Sequence, residues 1–246
     1  MRGRIQSGLF ASLLLVGCGV GGSGSNPPAV DAAPGTDGGG PGAPDGSLLP
    51  NGGLLVTFVP DPRFPADLGG PSSAFLGKRA RLKLRELRVI GDAAPGDERT
   101  FHDPVDLDWR CEELECEEEG CECEPGGHPV DCAFPDAPDG IYSSVLARLE
   151  SYEYRGTATT DIQRDFTITD LPTGMDLTIP LSDVPLSAGG TKVITIAVDV
   201  ASPVLAVDWS TVTPDGTGVL VVDGASPQIG AVRDEVGSSF TVTSVR

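Results

Sequence analysis

The stretch Thr191-Lys192-Val193-Ile194-Thr195-Ile196-Ala197-Val198-Asp199-Val200 decides the fold. Ile194, Ile196, Val198 and Val200 alternate with Thr195, Ala197 and Asp199, so the larger apolar side chains fall on one face of an extended chain. Such a strand buries one side only, and its neighbours must do the same. Short aliphatic and β-branched segments separated by Gly, Pro, Asp and Ser recur on both sides of it. We read strands at 54–59, 80–90, 100–109, 141–155, 164–170, 175–181, 203–209, 218–223 and 239–245 as well as 191–200. No stretch shows a sustained helical period. Many strands with one buried face each are satisfied most simply by two packed sheets. The expectation is an all-β domain over 54–246, an antiparallel β-sandwich, immunoglobulin-like or related, with a partly open barrel as the alternative. Val-Asp recurs at 198, 207 and 222, but the intervals are unequal and no repeat follows.

The segment Pro138-Asp139-Gly140-Ile141-Tyr142-Ser143-Ser144-Val145 leads into a long strand. Together with Arg85-Glu86-Leu87-Arg88-Val89 and Phe101 to Trp109, it resembles the DUF4382-type β-sandwich domains of bacterial surface lipoproteins. Those domains carry a similar G-x-Y at the start of a strand after a dispensable loop. The resemblance covers about half of the domain, implies a sandwich, and brings no catalytic residue with it.

The chain before residue 54 has a different character. Arg2 and Arg4 precede an apolar run from Leu9 to Val16, which has the charged start and short apolar middle of a secretory signal and is too short to span a bilayer. The run ends in Leu15-Val16-Gly17-Cys18, which resembles the lipobox of bacterial lipoproteins. That resemblance implies removal of residues 1–17, a diacylglycerol thioether on Cys18 and an acyl chain on its new amine, so the membrane is a partner through the anchor. Gly19 stands where Asp would, by family analogy, imply retention at the inner membrane; the expected location is the cell envelope, at the outer membrane. Residues 19–53 contain 12 Gly and 6 Pro in 35 positions. With no aliphatic run to order it, residues 18–53 read as a disordered, lipid-anchored linker. A coil of this kind has an end-to-end distance of about 30–35 Å.

The chain holds 17 Lys+Arg against 36 Asp+Glu, a net charge of −19, and removal of residues 1–17 deletes Arg2 and Arg4 to leave −21. Nucleic acid is therefore excluded as a partner, because affinity for phosphate backbones requires clustered cations.

Between Trp109 and Phe134 lies an anomaly. Cys111, Cys116, Cys121, Cys123 and Cys132 are threaded with eight Glu between 112 and 124. We read 110–133 as a Cys/Glu-rich insert on the sandwich, stapled by disulfides because exported thiols pair. Five cysteines allow fifteen arrangements of two bridges with one residue left over, and spacing does not choose among them. Two metal readings compete: thiolates with His128 for zinc or copper, or carboxylates for calcium. Neither a Cys-x2-Cys knuckle nor a D-x-[DN]-x-[DN]-G loop is present, and no cofactor is expected.

Lys78 to Arg88 holds six cations, with Arg79, Arg81, Lys83 and Arg85 alternating with Ala80, Leu82 and Leu84. Leu87 and Val89 resume the apolar face one position out of phase, which predicts a β-bulge at Arg85-Glu86. The basic face is read either as a solvated face or an edge strand defended by charge or as a binding patch for an envelope glycan, lipid headgroups or an acidic protein. A third reading folds the Glu-rich insert over Arg81 and Lys83. Asp106 and Asp108 share a face and offer a weak cation site. Catalysis finds no support: His102 and His128 are the only neutral-pH bases, and neither a nucleophile elbow, an H-E-x-x-H helix nor a phosphate loop is present. The expectation is a non-enzymatic envelope lipoprotein, with a carbohydrate-binding or adhesion module, and then a calcium- or metal-binding envelope protein, as alternatives. Trp109 and Trp209 are the residues on which sugar stacking would depend.

Overall fold

The computed structural model describes residues 49, 52–63, 66–69, 74–92, 99–101, 104–110, 127–135, 137–159, 162–172 and 174–246. The leader, Cys18, residues 19–48, His102, Cys111, Cys116, Cys121, Cys123 and all eight Glu of 112–124 lie outside the described residues.

The chain runs β1 (Gly53–Asp61), β2 (Ala66–Gly69), β3 (Ala74–Gly91), β4 (Arg99–Phe101), β5 (Val105–Arg110), β6 (Val130–Phe134), β7 (Gly140–Thr159), β8 (Gln163–Asp170), β9 (Met175–Leu186) and β10 (Thr191–Asp199). Helix α1 (Ser202–Leu205), a 3-10 turn at Trp209–Thr211, β11 (Leu220–Val222), α2 (Ile229–Ser238) and β12 (Phe240–Val245) complete it. Four strands form a small sheet in the order β12-β10-β1-β6. Eight form a large one, β11-β8-β7-β3-β2, with β4 and β5 on β3 and β9 on β7. The protein is an all-β, sandwich-like fold whose single buried cluster draws on both sheets.

The deciding strand behaves as its pattern requires: Ile194, Ile196, Val198 and Val200 are fully buried. Leu54, Val56 and Phe58 join them from β1, and Leu82, Leu84, Leu107 and Trp109 come from the large sheet. The bulge stands where the phase changes. Pairing of β3 with β7 shifts between Arg85 and Arg88, and Glu86 takes a positive φ of 52°. The cost of this left-handed backbone re-aims the strand so that Leu87 and Val89 stay in the core.

The structure departs from the expectation in four places. The sheets are mixed rather than purely antiparallel, because β1 lies parallel to β10 and β11 parallel to β8. Long crossovers, unlike hairpins, permit this. Residues 203–209 are not a strand. Pro203 opens the short helix α1, and the Asp199 carboxylate accepts from the Ala201 and Ser202 amides at 2.8 and 3.0 Å. Residues 229–238 are helical, with Ile229, Val232 and Val236 on the buried side. Finally, the interval assigned to the insert contains strand. Arg110 ends β5, and β6 pairs antiparallel with β1, placing Cys132 opposite Val56 and fully buried. Val130, Cys132 and Phe134 alternate inward, a period hidden by the cysteine count around them.

Candidate functional site

Three adjacent strands of the large sheet, β5, β3 and β7, turn a charged face outward. Their inward positions are taken by Val105, Leu107 and Trp109, by Ala80, Leu82 and Leu84, and by Tyr152 and Tyr154. Period-two alternation then leaves Asp106, Asp108, Arg110, Arg79, Arg81, Lys83, Glu153 and Arg155 on the other side. Register sets them in rows: Arg110–Arg79–Arg155, then Asp108–Arg81–Glu153, then Asp106–Lys83–Ser151.

Like charges directly opposite one another are destabilising. The first row is held together by diagonal pairing to the carboxylates of the second. Arg79 grips Asp108 through a fork, Nε to Oδ1 at 2.8 Å and Nη2 to Oδ2 at 2.7 Å, and reaches Glu153 at 3.4 Å. Arg155 Nε meets the same Glu153 at 2.8 Å. Arg81 forks onto Asp106, with Nε to Oδ1 at 2.8 Å. Past the third row Arg85 holds Glu150 at 2.8 and 2.6 Å.

Hydrogen bonds to Asp108 and Asp106 hold the Arg79 and Arg81 guanidiniums above their ordinary range, against the opposing effect of burial. Burial pushes the Asp108 carboxyl up, but the Arg79 fork outweighs it and leaves that carboxyl below the usual range. Exposed pairs of this type contribute about 0–1 kcal/mol each. The half-buried Arg79–Asp108–Glu153 group is the firmest part of the array.

This geometry corrects two expectations. β3 is not an edge strand, since β7 pairs along one side of it and β2, β4 and β5 along the other, and the charge of Arg79, Arg81 and Arg85 is met by those neighbours. Asp106 and Asp108 do share a face, yet each is occupied by an arginine and not poised for a cation. Among the described residues no group of three or more His, Cys, Asp or Glu could hold a metal ion. His128 is exposed, and its contribution is a backbone one: its carbonyl accepts from Trp109 Nε1 at 3.1 Å. Lys83 and Arg110 form no ion pair among the described residues. The neutralising Glu150 and Glu153 were missed because their role depends on pairing across strands. The alternation Ser151-Tyr152-Glu153-Tyr154-Arg155 was the available signal.

Both tryptophans are buried. Trp109 is fully so, and Trp209 packs on Phe166 with ring centroids 5.1 Å apart while donating from Nε1 to the Val204 carbonyl at 2.9 Å. Neither offers a face for sugar stacking, and the loop-tip platform on which that reading depended is not formed by them.

A second polar group lies beneath the large sheet and escaped the sequence reading. Asp170, 5% exposed at the end of β8, accepts from Arg233 of α2 at 2.6 and 3.0 Å and from the Tyr152 hydroxyl at 3.2 Å. Burial pushes the Asp170 carboxyl up, but Arg233 more than offsets this and holds it below the usual range. Asp170 shares the inward parity of Phe166 and Ile168, the signal that marked it. Beside the bulge, a cleft of about 260 Å³ is lined by Glu86, Arg88, Arg148, Asp176 and Thr178. Arg148 bridges it, 2.9 Å from Asp176 and 3.8 Å from Glu86.

Comparison with protein families, with curated proteins and with solved structures finds no match to this chain.

Proposed function

We propose that the chain is a lipoprotein of the cell envelope, anchored at the outer membrane through acyl groups on Cys18, that presents a β-sandwich for binding or structural contact. The observation that carries this reading is Leu15-Val16-Gly17-Cys18 at the end of a short apolar run preceded by Arg2 and Arg4. Two or more acyl chains hold persistently where a single one holds marginally, at about 0.8 kcal/mol per buried methylene. The first strand begins at Gly53, so 34 residues separate the anchor from the sheet. This reading relies on Cys18 for attachment; among the described residues no helix is long and apolar enough to cross a membrane. A charged, hydrogen-bonded sheet face suits contact with another envelope component better than chemistry.

Intact mass of the native protein, with and without reductant, tests the proposal. The expected species lacks residues 1–17, carries the acyl mass, and gains two hydrogens for each bridge reduced. Cys18→Ala is expected to lose the acyl mass. An unacylated wild-type chain retaining Met1 overturns the reading.

A further inference from the structure

We propose that the outer face of β5, β3 and β7 is a docking surface for a linear acidic polysaccharide. Seven cations and four carboxylates occupy it from the Arg110 row to the Arg85 row: Arg79, Arg81, Lys83, Arg85, Arg110, Arg148 and Arg155 against Asp106, Asp108, Glu150 and Glu153, with Arg148 turned to Asp176 and Glu86 beside the face. The face is net positive in a chain of net charge −19, the reverse of the molecule's overall balance. All four carboxylates are engaged by arginines, which leaves Lys83 and Arg110 as cations of this face with no ion pair within 4.0 Å among the described residues. These two sit on neighbouring strands four residues apart in register, since Arg110 pairs with Arg79. That places their backbones about 14 Å apart along the sheet. A point anion spans only one of them. An extended polymer carrying repeated negative charge meets both without displacing an existing pair.

The character of the surface selects among polyanions. Between Arg79 and Arg85 every outward side chain on these strands is charged or hydroxylic; Trp109, Tyr152 and Tyr154 point into the core. Beyond β7 the outward Thr167 and Thr169 of β8 extend the hydroxyl-bearing surface past Arg155 and Glu153. An acidic peptide would gain affinity from apolar anchors, and a bilayer from side chains that insert; this face supplies neither. A flat polymer of hydroxyls and carboxylates finds donors and cations across it. The inference is independent of the lipid anchor, because the surface exists whether or not Cys18 is acylated.

The test is retardation of the full chain, in a non-ionic detergent, in gels containing polygalacturonate, dextran or poly-glutamate, over a range of salt. Polygalacturonate is expected to retard the chain at low salt, and dextran to leave it unchanged. Lys83→Gln with Arg110→Gln is expected to weaken polygalacturonate binding about tenfold and to lower the salt slope by about one for each cation removed. Neither residue holds an ion pair among the described residues, so folding is retained, as matched thermal melts check. Lys192→Gln, on β10 of the small sheet, is the control for loss of a cation away from this face and leaves retardation unchanged. The proposal is overturned if polygalacturonate fails to retard the wild-type chain, or if the double variant binds as the control does. It is also overturned if poly-glutamate, or soluble dioctanoyl phosphatidylglycerol as competitor, engages Lys83 and Arg110 as strongly as the glycan. Those outcomes assign the face to an acidic peptide or to a lipid headgroup.

Discussion

Replacing Arg233 with Leu isolates what fastens α2 to the large sheet. Arg233 gives Asp170 two charge-assisted hydrogen bonds, at 2.6 and 3.0 Å. Without them Asp170, its side chain 3% exposed, retains the Tyr152 hydroxyl as its remaining side-chain partner. Removing one member of a buried pair costs about 3–5 kcal/mol. Because the Arg233 side chain is 41% exposed, part of its charge is already solvated, and we expect the low end, about 3 kcal/mol at pH 7. Leu keeps helix propensity nearly constant, so the loss reports the pair. In urea this is a fall in midpoint of about 1 M for a domain of this size.

The pH dependence separates this cause from loss of packing. In the wild type the Asp170 carboxyl is depressed, so its stabilisation is fully present above the unfolded value, about 3.9, and is lost as pH falls through the folded value. In the variant the counter-ion is gone, and burial, the largest influence on that carboxyl, is expected to outweigh the remaining hydrogen bonds from the Leu171 amide and the Tyr152 hydroxyl and to raise it. Each pH unit below the variant's raised value, down to the unfolded one, returns about 1.4 kcal/mol. The gap between the two proteins therefore narrows from pH 7 to 4.5. Adding Asp170→Asn to the variant removes the stranded charge and flattens the profile. A loss below about 1 kcal/mol at pH 7, or a gap unchanged between the two pH values, refutes the reasoning.

The Tyr154 hydroxyl is buried with no hydrogen-bond partner among the described residues, and burial pushes its ionisation up. Tyr154→Phe is expected to leave the melting temperature unchanged or raise it, by up to about 1 kcal/mol in stability, while Tyr152→Phe loses about 1.5 kcal/mol with its bond to Asp170; equal losses in calorimetry would contradict this. Gly156 lies where a Cβ would stand 2.1 Å from the Leu76 carbonyl oxygen and 2.7 Å from Phe166 Cε1. Gly156→Ala is expected to cost about 3 kcal/mol in urea unfolding. Phe166→Leu is expected not to restore it, because the backbone oxygen cannot move aside; full rescue would place the clash in the ring alone.

What the sequence disclosed follows from how far each signal reaches. Alternation is local, so the main strands of both sheets and the bulge at Arg85-Glu86 could be read from neighbouring residues. Pairing is not local. The carboxylates that neutralise Arg79 and Arg81 come from positions 25 to 74 residues away, and no single strand announces them. The apolar run Pro203-Val204-Leu205 suits helix or strand equally, and Pro203 at the first turn was the deciding sign. In α2 the spacing of Ile229, Val232 and Val236 is helical, but Gly230 and Gly237 dilute it and no side chain caps its start. Strand β6 was masked by composition: its neighbours' glutamates and cysteines outweighed three inward residues. Asp170 read as one acid among 36 until its parity with Phe166 and Ile168 was set against the helix that meets it.

The parallel ladder between β1 and β10 joins Gly53 to Thr191 and Asp61 to Asp199. A contact of such sequence separation carries a large loop-closure cost and places the protein among slow-folding topologies. Until synthesis has delivered Thr191 to Asp199, β1 has β6 alone beside it, and the small sheet stays unfinished. Polypeptides truncated before residue 191 should therefore be open to protease at Leu54–Phe58, even where β3 and β7 have already zipped together.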